Sequence, residues 1–178
     1  MRSFFTLFFW IWSTGWVYAS VNRTHGLDRV QAPLGKQYRY IEFGQVTGGQ
    51  AGEIHSLIGM RRVFSGKDRV ERLILDLGDA AGKPLLGRVS YFQVSIEKDK
   101  PRIIIDLSQM AASTVNDKTI RRLVRSSPFI KSAKVNYDPT DASLTIQLFL
   151  KKKMQLEAFQ LVGKGKPGRL AVDMKEKM

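Results

Sequence analysis

At 178 residues the chain is long enough for one domain with a core of its own and short for two of ordinary size. It carries 29 Lys and Arg against 16 Asp and Glu, a formal net charge of +13, which favours anionic partners. No cysteine is present, which excludes disulfides, thiolate metal sites and a lipid-modified amino-terminal Cys, so stability has to come from the core.

The amino terminus predicts export. Arg2 is the only charge before Arg23, the stretch from Phe4 to Tyr18 is almost wholly apolar, and small residues stand at Ala19 and Ser20. This is the three-part layout of a secretory signal, with Val17 and Ala19 at the positions a signal peptidase reads, so residues 1–19 are expected to be cleaved. An uncleaved anchor is the competing reading, but the apolar run stops short of the roughly 20 residues a spanning helix needs. No other segment is long or apolar enough to span a membrane. Export to the periplasm moves the expected anionic partner from nucleic acid to envelope polymers.

Residues 20–52 are rich in Gly, Gln and Arg and read as a flexible leader, with the fragment Tyr38–Val46 able to add an edge strand. Strand signals dominate from Glu53: short Ile, Leu, Val, Phe and Tyr runs separated by Gly, Asp, Lys and Pro. The runs are Arg72–Leu77, Arg88–Ile96, Arg102–Leu107, Ala133–Tyr137, Leu144–Leu150, Gln155–Val162 and Arg169–Met174. Leu73, Leu75 and Leu77 share one face by the period of two. Consecutive Ile103, Ile104 and Ile105 suggest a strand covered on both sides. One segment is helical instead, about 116–126. Asn116 is its cap, Ile120, Leu123 and Val124 form its apolar stripe, and Pro128 blocks its continuation.

The strand-rich part is duplicated. RLILDL from Arg72, RIIIDL from Arg102 and RLAVDM from Arg169 share one pattern, and the order of strands and turns in residues 56–107 recurs in 129–174. Leu73, Leu75 and Leu77 align with Leu144, Ile146 and Leu148. A small curled sheet with one apolar face cannot bury that face alone, whereas two copies cover each other. The expected fold is therefore mainly β: a β-sandwich of two symmetrical sheets from an internal duplication, with one short connecting helix.

From the lead strand IHSLIGMRRV through RLILDL, RVSYFQVSI and PRIIIDL, and again through second copies ending in GRLAVDM, the region Glu53–Met174 resembles the AMIN domain. That family stands ahead of the catalytic domain in cell-wall N-acetylmuramoyl-L-alanine amidases and in secretins of type IV pili. The resemblance implies a sandwich of two symmetrical sheets that targets periplasmic proteins by binding peptidoglycan or sites of wall synthesis. The sequence departs from the family in an insertion, GDAAGKPLLG, and in Gln147 where the first copy has Asp76. Only a few residues follow Met174, so a targeting module without a catalytic partner is expected.

Catalysis needs a nucleophile with a base, tuned carboxylates or a metal cage. Only two histidines are present, and His25 falls in the leader while His55 stands alone at a strand start, as a surface or edge residue. Asp76, Asp106 and Asp173 end matching motifs and read as acceptors for backbone or Arg groups. No catalytic, metal or cofactor site is expected. The candidate binding residues are basic: Arg61 and Arg62, the helix trio Arg121, Arg122 and Arg125, and the run Lys151, Lys152 and Lys153. Guanidinium groups grip carboxylates, which peptidoglycan stem peptides carry. The expected function is noncatalytic binding of peptidoglycan or another anionic envelope polymer. The alternative is a protein adaptor in an envelope assembly such as a pilus or secretion complex.

Overall fold

The computed structural model describes residues 29–177. The signal-peptide reading of residues 1–19 lies outside them. In chain order the described residues form β1 (Arg29–Gln31), β2 (Gly44–Gly48), β3 (His55–Ser65), β4 (Val70–Asp79), β5 (Phe92–Ile96), β6 (Arg102–Ser108) and β7 (Met110–Ser113). Helix α1 (Asp117–Val124) follows, then β8 (Ile130–Asp138), β9 (Ser143–Leu150), β10 (Met154–Gly163) and β11 (Lys166–Glu176).

These strands make the expected mainly β sandwich: a six-stranded sheet in the order β1-β2-β5-β6-β9-β8 and a five-stranded sheet in the order β10-β11-β4-β3-β7. Alternation along each strand sends one side chain in two to the inner faces. Leu73, Leu75, Leu77, Leu170, Val172 and Met174 meet Ile103, Ile105, Leu107, Leu144, Ile146 and Leu148 in one core cluster, all essentially without exposure. Each such side chain contributes roughly 1.5–3 kcal/mol through burial. Ile104 is only half-buried, so β6 is covered on one face and not on both; this middle isoleucine looks outward from the six-stranded sheet.

The duplication is visible in the pairing, but neither copy forms a sheet by itself. In the first copy the β3–β4 hairpin lies in the five-stranded sheet and the β5–β6 hairpin in the six-stranded one. The second copy does the reverse, with β8–β9 in the six-stranded sheet and β10–β11 in the five-stranded one. Each sheet therefore joins half of one copy to half of the other, along β4–β11 and along β6–β9. The registers Leu75↔Leu170 and Leu148↔Ile103 make Leu75 equivalent to Leu148 and Leu73 to Ile146. The alignment expected from sequence is displaced by two residues. A shift of two keeps every side chain on its own face, so hydrophobic alternation is blind to it.

Within each copy the chain crosses between sheets once, after β4 in the first and after β9 in the second. The first crossing contains the GDAAGKPLLG insertion, whose Leu85 carbonyl accepts from Gly168 N at 2.6 Å. A Cβ on Gly168 would sit 1.5 Å from the Arg88 carbonyl oxygen, so only glycine fits there. The second crossing is Lys151–Lys153, which places the lysine run at a turn.

Residues 29–52, expected as part of a flexible leader, are built into the fold. β1 pairs in parallel with β2, and β2 pairs with β5 to extend the six-stranded sheet. Between them the chain leaves that sheet and straps the outer edge of β10: Gly35 N donates to Gln160 O, and Ile41 and Leu156 exchange both backbone bonds at 2.8 Å. Gln37 N and Arg39 N both donate to Glu157 Oε1, at 2.8 and 3.2 Å, and Lys36 Nζ donates to Asp173 at 2.7 Å. Buried Glu157 accepts from the backbone, and buried Asp173 from a lysine side chain, of a segment that composition alone marks as loop.

Candidate functional site

α1 begins where the sequence places it: the Asn116 side chain accepts from Thr119 N at 3.0 Å, filling one of the unpaired donors of the first turn. Ile120 and Val124 point into the core, and Lys118, Arg121, Arg122 and Arg125 point to solvent. Opposite them, β8 carries an extra residue between Ile130 and Ser132. That bulge turns Lys131 out toward the helix. Helix and bulge enclose an open groove of about 820 Å³, lined by Asp117, Lys118, Arg121, Arg122, Val124, Arg125, Lys131 and Ser132.

The groove is strongly positive. Its one carboxylate, Asp117, accepts from Val135 N at 2.7 Å and from Arg121 at 3.2 Å. The Val135 amide, with a smaller contribution from Arg121, holds the Asp117 carboxyl below its ordinary range. Lys118, Arg122, Arg125 and Lys131 enter no ion pair among the described residues. Residues four apart lie one turn apart, about 6 Å along the axis, so Arg121 and Arg125 are placed to hold successive anionic groups.

A buried network fixes the helix end. Glu71, fully buried on the inner face of β4, accepts from Arg62 at 3.2 Å and from Ser127 Oγ at 2.6 Å. Ser127 Oγ in turn accepts from Phe129 N and Ile130 N, which sets the entry into β8. Arg62 also donates to the Leu123 carbonyl at 3.0 Å and to Ser126 Oγ at 2.6 Å. A cation on the last carbonyls of a helix satisfies unpaired acceptors and favours the negative end of its dipole.

Of the basic residues expected as one binding set, Arg121, Arg122 and Arg125 share this groove. Arg62 stands behind it as a support. Arg61 is elsewhere, on the outer face of the five-stranded sheet, 3.0 Å from Asp76. Lys151 donates to the Ser127 carbonyl at 2.7 Å, Lys152 pairs with Glu176, and Lys153 lines a separate cleft with Phe43. Sequence reading missed Lys118, although it stands three, four and seven residues before the three arginines, and it missed Lys131, whose outward turn depends on the bulge. Glu71 and Ser127 carried no local signal, because their partners lie in other elements.

Asp106 and Asp173 occupy equivalent places and accept from Thr145 and Arg72 respectively; Asp76 occupies the place of Phe149 and does not belong to that set. His55 is not at the surface: it is 1% exposed at the start of β3, where β7 pairs alongside it. Among the described residues no group of three His, Cys, Asp or Glu is arranged to hold a metal ion, and no helix is long and apolar enough to cross a membrane. No protein-family model matches the chain, and no curated protein aligns with it.

Proposed function

We propose that the protein is a noncatalytic periplasmic module of the AMIN type that binds peptidoglycan or another anionic envelope polymer through the groove between α1 and β8. The observation that carries this reading is the concentration of Lys118, Arg122, Arg125 and Lys131 on one open surface with no ion-pair partner among the described residues. An ordinary solvated face disperses both signs; here a helix pinned by a buried network sets five cations against one carboxylate, Asp117, which is already held by Arg121 and the Val135 amide. Guanidinium groups suit carboxylates, the groups that wall stem peptides carry. A sandwich of two symmetrical sheets also agrees with what the AMIN resemblance implies.

Sedimentation with purified sacculi tests the proposal. Binding is expected to be salt-sensitive, and Arg121, Arg122 and Arg125 replaced together by Ala should lose about 3–150-fold in affinity, from roughly 0.2–1 kcal/mol per exposed charge pair. Binding unchanged in that variant would overturn the assignment.

The second reading, an adaptor in an envelope assembly, is favoured by one feature. β7 pairs with only the first residues of β3, leaving Val63 and Phe64 exposed along an edge unpaired by any described strand. A chain that ignores sacculi but captures an extended peptide at β3 would favour it.

A further inference from the structure

We propose that the strap between β1 and β2 carries a second binding site, one for a short acidic saccharide, in which Tyr38 and Tyr40 stack on sugar rings and the surrounding lysines hold a carboxylate. The site is separate from the α1 groove and stands whether or not that groove binds wall polymer.

Tyr38 is the starting point. It is 75% exposed and its φ is +59°, a left-handed conformation that a bulky residue adopts only when its surroundings force it. The forcing groups are on either side: Gln37 N and Arg39 N, its two neighbours, both donate to one oxygen of Glu157, which is 2% exposed. Lys36, one residue earlier, is tied to the fully buried Asp173. Anchors at Lys36, Gln37 and Arg39 into a pair of buried carboxylates hold the ring between them out into solvent in a strained backbone. Nothing in the packing of the sandwich calls for that ring, since it contributes no surface to the core.

What surrounds the ring defines the ligand. Lys36 Nζ lies 4.7 Å from the Tyr38 ring centre, and Lys175 Nζ lies 5.7 Å from that of Tyr40. Together with Lys67 and Arg69 these side chains line a cleft of about 660 Å³, within the range of small-ligand sites. Asp68 and Glu176 line the same cleft. Aromatic faces stack on the apolar face of a sugar ring, lysines donate to its carboxylate, and carboxylate side chains accept from its hydroxyls. A nucleotide offers a stacking base too, but it brings phosphates toward Asp68 and Glu176 and few hydroxyls to satisfy them. Lys36 is already held by Asp173 and Arg69 by Glu176, so the cations that a neutral sugar leaves without a partner among the described residues are Lys67 and Lys175. The mixture of groups therefore selects an acidic, hydroxyl-rich ring.

Calorimetric titration of the purified chain with trigalacturonate, with chitotriose and adenosine monophosphate as controls, tests the site. Trigalacturonate is expected to bind at least tenfold more tightly than either control. Tyr38→Gly should lose at least tenfold in that affinity while its melting temperature stays level or rises, because glycine relieves the positive φ. Tyr38→Phe should keep the affinity within about threefold, since the ring face does the stacking. Replacing Arg121, Arg122 and Arg125 together should leave it unchanged, which separates this site from the α1 groove. No binding of trigalacturonate, equal binding of either control, or full affinity in Tyr38→Gly would each overturn the proposal.

Discussion

The two sheets present equivalent positions on their outer faces, yet one set is largely charged and covered while the other is largely uncharged and open. On the six-stranded sheet Gln93, Asp106 and Thr145 stand where Glu157, Asp173 and Arg72 stand on the five-stranded sheet. Asp106, half-buried, is satisfied by one hydroxyl, Thr145 Oγ1 at 2.7 Å. Asp173, fully buried under the strap, takes two bonds from Arg72 at 2.6 and 2.8 Å and one from Lys36. Phe159, in the place of Ser95, is also fully buried there, under the Arg72 guanidinium 5.0 Å from its ring centre. Duplication supplies one backbone plan twice; covering one copy of it changes which side chains can be satisfied. A carboxylate at a solvated position needs a hydroxyl, and the same carboxylate in a dry one needs cations.

The inner faces differ in the same way, and there the largest effect is expected. Arg62 and Glu71 of the first copy correspond to Val135 and Leu144 of the second. Glu71→Ala removes the partner of a largely buried guanidinium and of Ser127, and should cost about 3–5 kcal/mol in urea unfolding. Making both residues match the second copy, Arg62→Val with Glu71→Leu, should recover most of that loss, because a buried ion pair exchanged for apolar groups of similar volume is often neutral. The double variant should nevertheless weaken anionic polymer binding, because the helix end has lost its anchor. If the double variant is no more stable than Glu71→Ala, the two copies are not interchangeable at this layer.

Next in size is the exchange of the outer partners. Arg72→Thr gives the covered sheet the residue of the open one and leaves Asp173 with Lys36 alone, at an expected cost of about 3 kcal/mol. The reciprocal Thr145→Arg, on the open face, should stay within about 1 kcal/mol of the parent. Equal costs for the two would mean that burial under the strap does not set the difference between the sheets.

These pairs also explain what could be read from the sequence. The strands, the helix and its cap were legible because each is a local pattern: alternation from Leu73 to Leu77, a stripe at Ile120 and Val124, Asn116 three residues before Thr119. The arginine trio was legible for the same reason. The pairing of half of one copy with half of the other was not, since nothing in alternation says which strand is the neighbour. Nor was the strap. Its Gly-rich composition signals mobility, and the groups that order it, Glu157 and Asp173, lie more than a hundred residues further along the chain. Arg62 and Lys151 looked like surface charges because their acceptors, Glu71, Leu123 O and Ser127 O, are set by tertiary contacts.

The smallest expected effect comes from His55, for which the second copy has Pro128 at the corresponding place, so only one copy titrates. His55 Nδ1 lies 3.1 Å from the Glu53 carbonyl oxygen. A carbonyl can only accept, so Nδ1 carries the hydrogen, and the buried Nε2 is the atom that would take a proton, with no partner among the described residues. Burial therefore pushes the imidazole below its ordinary value, outweighing the opposing bond to Glu53. As pH falls below about 6.5 the unfolded chain binds this proton and the folded chain does not, so stability declines from there down to the folded value and then levels. The carboxyls of Glu42, Glu97, Asp117 and Glu176 are all held below their ordinary values, which moves their linked loss of stability to more acid pH. Between about pH 7.5 and 5.5 the urea midpoint should then fall with an unchanged m value, and His55→Asn, whose amide can still donate to Glu53 O, should flatten the profile. A slope that persists in His55→Asn would assign the titration to a group other than this histidine.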